Sequence, residues 1–77
     1  MNRSREKVTE EMKRLARRLV VLRETRGWSQ ETLASLAGLH RNYIGHIERS
    51  ETNIGLINLA KLSNAFGMSV SEMTHGI

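Results

Sequence analysis

The sequence predicts an all-helical fold, a compact bundle of about five helices, on three observations. Apolar residues recur at steps of three and four in successive segments, glycines (Gly27, Gly38, Gly67) close three of these runs, and serines suited to starting helices (Ser29, Ser69) open two. At 77 residues the chain allows a single domain with a modest core, and a core this small favours a homodimer.

The first helix is expected over residues 4–26, where Val8, Met12, Leu15, Leu19 and Leu22 form one stripe uninterrupted by proline. Up to Glu11 the segment is mostly charged, so residues 1–11 read either as helix or as a basic arm. Glu10 and Arg14 are spaced as an i,i+4 ion pair. Val20 and Val21 lie off the stripe's centre, as edge-of-core contacts. Gly27 ends the helix, and Trp28 is expected to cover the junction of the first two helices.

Residues 30–48 organise the rest: two short helices joined by a tight turn, a helix-turn-helix. Ser29 caps the first, with Glu31 suited to its positive end. Leu33, Ala34 and Ala37 point inward, Ala34 being small enough for two helices to cross closely. Gly38 can take the left-handed backbone that ends the helix, and Leu39 buries in the corner. His40 stands at the cap position of the second short helix, as a cap or as a phosphate or base contact.

In that second helix Ile44, Ile47 and Glu48 form the inward stripe. Arg41, Asn42, Gly45, His46 and Arg49 remain outward, an acid-free set that suits a DNA major groove. Arginine can fork onto guanine, asparagine can pair with the adenine edge, and Gly45 lets the backbone approach. Gln30, at the start of the preceding helix, can anchor a phosphate, and the Tyr43 hydroxyl can reach the DNA backbone. Glu48, an inward acid, needs a partner, and Arg23 is the candidate.

The loop over residues 49–55 offers Ser50, Thr52 and Asn53 for local or phosphate hydrogen bonds. A fourth helix carries Leu56, Leu59, Ala60, Leu62, Ser63 and Phe66 on its apolar face, with Gly55 or Asn53 as a weak cap. Ser69 and Glu72 form a capping box for a short fifth helix with Val70 and Met73 on its buried side. Met68, Val70, Met73 and Ile77 are the first choice for a dimer surface, and the N-terminal arm is the second.

The formal charge of +4 is uneven: residues 1–26 hold nine bases against four acids, the remainder three against four. A basic first helix beside the helix-turn-helix attracts phosphates without reading sequence. With no cysteine there is no disulfide framework or thiolate zinc site, which fits the cytosol. No apolar run approaches a membrane span or an export signal. All eight acids are glutamates, and neither a nucleophile elbow, a phosphate loop nor a dinucleotide glycine pattern occurs, so no enzyme activity, cofactor or small-molecule ligand is expected. His40 and His46 do not share a helix face and His75 lies in the tail, so no metal site is expected either.

From Leu19 to Met73 the chain resembles the phage-repressor and Cro type of helix-turn-helix regulator, the XRE family. That resemblance implies the lambda-repressor-like fold and dimeric binding of a palindromic operator in double-stranded DNA. It implies Arg41, Asn42 and His46 as base contacts, Gln30 as the backbone-anchoring glutamine, and Arg23 with Glu48 as an internal ion pair. Ser29, His40, Tyr43, Arg49 and Asn53 join Gln30 as expected backbone contacts. LHRNYIGHIER followed by NIGLINLAKL is most similar to the small controller proteins of restriction-modification systems. Ser50 departs from the family, where glycine is commoner at the turn. The alternatives are an antitoxin that binds a toxin and its own operator, and a protein-interaction module that has lost DNA binding. Operator sequence and the choice between repression and activation are not legible.

Overall fold

The computed structural model describes residues 8–77, and among them the secondary structure is entirely helical. The five helices are α1 (Glu10–Thr25), α2 (Gln30–Ala37), α3 (Arg41–Glu48), α4 (Leu56–Ala65) and α5 (Val70–Thr74). Helix α1 starts later than the apolar stripe predicts. Thr9 caps it, its hydroxyl accepting from the Met12 amide at 3.1 Å, so Val8 and Thr9 precede the helix; the rest of the expected arm, residues 1–7, lies outside the described residues. Glu10 pairs with Lys13 at 3.7 Å instead of Arg14, because the i,i+3 neighbour on the first turn is also within reach.

Leu19, Leu33, Ala34, Ala37, Ile44, Ile47, Leu62, Phe66 and Met73 form the core, drawn from all five helices. Trp28 lies further along than its place in the sequence predicts: it stacks on Phe66, at the end of α4, with ring centroids 5.3 Å apart. The Arg26 guanidinium lies over both rings and donates to the Phe66 carbonyl at 3.1 Å, which ties the end of α1 to the end of α4.

Three other assignments change. Leu56 is 71% exposed, as Ile57 is at 74%, because α4 turns its first turn away from the core and buries from Leu62 onward. Val21 is exposed too, at the edge of a groove between α1 and α5. Met73 is fully buried, since the short α5 folds it against the core, so it is no dimer contact; Met68, Val70 and Ile77 are half-buried.

Helices α1 to α4 close by one device. The amide beyond each helix reaches back five residues: Trp28 to Arg23, Leu39 to Ala34, Glu51 to His46 and Met68 to Ser63, all at 2.8–3.1 Å. The residue at the bend is left-handed each time, and it is glycine at Gly27, Gly38 and Gly67. After α3 it is Ser50, at φ +59°, the only non-glycine with positive φ among the described residues. The polar loop therefore begins with a sharp, strained turn that sends residue 51 back over the helix it has just left.

Candidate nucleic-acid interface

Helix α3 is held against α1 and α2 by one buried carboxylate. Arg23 of α1 donates to Glu48 through Nε (2.7 Å) and Nη2 (3.2 Å), and Gln30 of α2 donates to the same carboxylate at 2.8 Å. The Arg23 and Glu48 side chains are only 13% and 6% exposed. The hydrogen bond to Glu48 holds the guanidinium above its ordinary pKa against the cost of burial. Gln30 thus has a second task that the sequence does not reveal: one of its amide hydrogens belongs to the scaffold.

The opposite face of α3 borders a polar surface groove lined by Gln30, Arg41, Asn42, Gly45, His46 and Arg49. Arg41, Asn42, His46 and Arg49 are exposed. Gly45 is not an open point of approach as expected. It is buried beneath the Arg49 guanidinium, whose Nη1 would stand 3.0 Å from a Cβ at that position.

Arg49 and His46 are themselves engaged. The Arg49 Nε donates to one oxygen of Glu51 at 3.0 Å, and His46 Nδ1 lies 2.8 Å from the other. These hydrogen bonds, that from Arg49 first, hold the Glu51 carboxyl below its usual pKa and raise the Arg49 guanidinium above its own. The reading face described by sequence as acid-free therefore carries an acid at its rim. The signal was present: Ser50 stands two residues past the end of α3, where Gly27 and Gly67 stand after α1 and α4, and that turn returns the next residue to its helix.

The remaining contacts surround this face. His40 caps α3, its Nδ1 accepting from the Asn42 amide at 3.0 Å. Ser29 caps α2, accepting from the Thr32 amide and donating to the Thr32 hydroxyl, both at 3.0 Å. Tyr43 packs its ring on the core while its hydroxyl accepts from Asn58 of α4 at 3.1 Å, a partner sequence reading missed. Asn53 is exposed in the loop. One groove thus gathers Gln30, at the start of α2, with Arg41, Asn42, His46 and Arg49 along α3, while Ser29 and His40 stand at the caps of the two helices.

A helix-turn-helix whose second helix carries exposed donors on one face and a buried carboxylate on the other defines the class of DNA-binding regulators. The family profile HTH_3 (Helix-turn-helix) matches residues 19–73, and the chain belongs to that family. Among its relatives is a Neisseria hypothetical transcription factor from Neisseria meningitidis, 39% identical over 59 residues, which cover 77% of this chain and 56% of that protein. The chain thus spans little more than half of that relative. Control protein C.SmaI of Serratia marcescens is 42% identical over 59 residues, covering 77% of this chain and 70% of that one. The crystal structure of the restriction-modification controller protein C.AhdI from Aeromonas hydrophila superposes with a TM-score of 0.79 at 40% identity, over 84% of this chain and 98% of that one.

Proposed function

We propose that this chain is a transcription regulator that binds a palindromic operator as a homodimer and controls a restriction-modification operon. It acts by binding alone, in the cytoplasm, with no catalytic step. The observation that carries this reading is the exposed set Arg41, Asn42 and His46 along one groove of α3. Those side chains read base edges, Arg41 suiting guanine and Asn42 adenine. Likeness to C.SmaI and C.AhdI supports the controller role.

Phosphates are held around this centre by groups with donors to spare. Gln30 keeps a second amide hydrogen beside the free main-chain amides at the start of α2. Tyr43 keeps its hydroxyl hydrogen, and His40 keeps an N–H at Nε2 because Nδ1 serves the cap. Ser29, Arg49 and Asn53 complete the rim.

The dimer surface we propose is the first turn of α4, where Leu56 and Ile57 together form an exposed apolar pair. The alternative groove between α1 and α5, lined by Met68 and Ile77, also carries Arg14, Arg17, Arg18 and Glu72, so a contact there would have to take several charges out of water. Sedimentation equilibrium of the wild type and an Ile57→Glu variant tests this. We expect a dimeric wild type and a monomeric variant that has lost tight binding to a palindrome; a variant that stays dimeric excludes this surface.

A further inference from the structure

The two histidines of the α3 segment, His40 at its cap and His46 in its last turn, are held in opposite hydrogen-bonding states. His40 Nδ1 accepts the Asn42 amide hydrogen, so that nitrogen is bare and the proton of a neutral ring sits on Nε2. His46 Nδ1 faces the carboxylate of Glu51 at 2.8 Å. An ionised carboxylate has no hydrogen to donate, so Nδ1 must supply one, and in the neutral ring Nε2 is then a bare lone pair. Nε2 of His46 has no hydrogen bond among the described residues, and the ring lines the groove beside Arg41 and Asn42.

The carboxylate does not reach His46 by chance of rotamer alone. The left-handed Ser50 and the 2.8 Å bond from the Glu51 amide to the His46 carbonyl bring the main chain of residue 51 back beside the last turn of α3. Its second oxygen is held by Arg49, which lies over Gly45. A side chain at Gly45 would meet the guanidinium, so the small residue, the arginine and the acid form one connected arrangement.

We propose that Glu51 is a positioning residue for base reading: it locks His46 in the Nδ1–H tautomer, so that Nε2 acts as an acceptor and selects base pairs presenting an exocyclic amine. In the major groove those amines are N6 of adenine and N4 of cytosine. This deepens the proposed function and rests on it. Without Glu51 the ring is free to carry its proton on Nε2, and it then donates to guanine N7 or O6 or to thymine O4 instead. His40, at the cap of α3, is a donor at Nε2 in either case. The charged groups around His46 are Glu51 and Arg49 from its own segment and Arg41 along the groove, with Gln30 of α2 uncharged.

Two measurements on the full chain test the proposal. Nitrogen-15 NMR of the imidazoles in the free protein, at alkaline pH, should show Nδ1 protonated in His46 and Nε2 protonated in His40. Glu51→Ala should move His46 toward the Nε2–H form, while Glu51→Gln, whose amide oxygen can still accept, should hold the wild-type tautomer. On DNA, wild type and Glu51→Gln should favour an amine-bearing base at one position of each half-site by about tenfold, and Glu51→Ala should lose that ranking. Release of Arg49 in Glu51→Ala raises affinity for all sequences alike and does not alter the ranking, which is the quantity that decides.

A wild-type His46 protonated on Nε2 overturns the lock, as does a Glu51→Ala variant with unchanged base ranking. A wild-type protein that prefers no DNA sequence overturns the proposed function and the base-reading role with it. The tautomer measurement on free protein separates that failure from failure of the lock.

Discussion

Glu48 and Glu51 stand three residues apart, one in the last turn of α3 and one just past it, and each binds two side chains, yet they work in different surroundings. Glu48 faces inward and binds Arg23 and Gln30 with only 6% of its side chain exposed. Glu51 faces outward and binds His46 and Arg49 with 48% exposed. A carboxylate out of water must keep every partner it has, because its lost hydration is recovered nowhere else. One at the surface can exchange its partners for water or a ligand at little cost. The first arrangement therefore fixes where the recognition helix lies, and the second sets the state of the side chains that it presents.

Removing the inner carboxylate should have the largest effect. Glu48→Ala leaves the mostly buried Arg23 with only a 4.0 Å contact to the exposed Glu24, and we expect a loss of about 3–5 kcal/mol in urea unfolding, a large share of a small domain's stability. A loss under about 1 kcal/mol would mean that the two carboxylates do not differ as described. Next comes Arg41→Ala, on the outer side, which should cost about 1–3 kcal/mol in operator binding and relax preference at one base position, with the unfolding midpoint unchanged. Equal weakening on every sequence would make Arg41 a phosphate contact.

Smaller again is Ser50→Gly. Relief of the left-handed serine should stabilise the fold by about 0.5–1 kcal/mol, less than the full strain because glycine also gives the unfolded chain more freedom. The smallest effect belongs to Glu51 itself. Its folded pKa is depressed, so its contribution to stability is present above the ordinary carboxylate range and is lost as pH falls through the lowered value. Because the pair is exposed and screened by water, that contribution is small, and Glu51→Ala should barely lower the melting temperature near neutral pH; a large drop would place Glu51 in the scaffold alongside Glu48.

The same contrast explains what could be read in advance. Ser29, Gly38 and the Ser69–Glu72 box are local devices whose chemistry is complete within a few residues, and the structure holds each of them. Arg23 facing Glu48 was legible because an inward acid demands a cation and few cations are inward. Contacts that depend on which faces meet were not. Periodicity put Met73 on the buried side of α5, where it lies, and gave α4 an apolar stripe, but it could not say that Leu56 lies outside the core. Gln30 was read for its place at a helix start, although its amide also serves a carboxylate on the next helix. For Glu51 the one legible signal is the position of Ser50, where glycine closes the other helices; the partners themselves follow from the left-handed turn there.

The central claim is that α3 reads DNA sequence and does not merely attract phosphates. Selection of bound sites from random duplex DNA at near-physiological salt tests it most directly. We expect an enriched palindrome whose half-site centres lie about 10 base pairs apart, with preferences that change one position at a time in Arg41, Asn42 and His46 variants. Salt-sensitive binding to all sequences with no enrichment would contradict it, leaving the basic α1 as the source of whatever affinity remains.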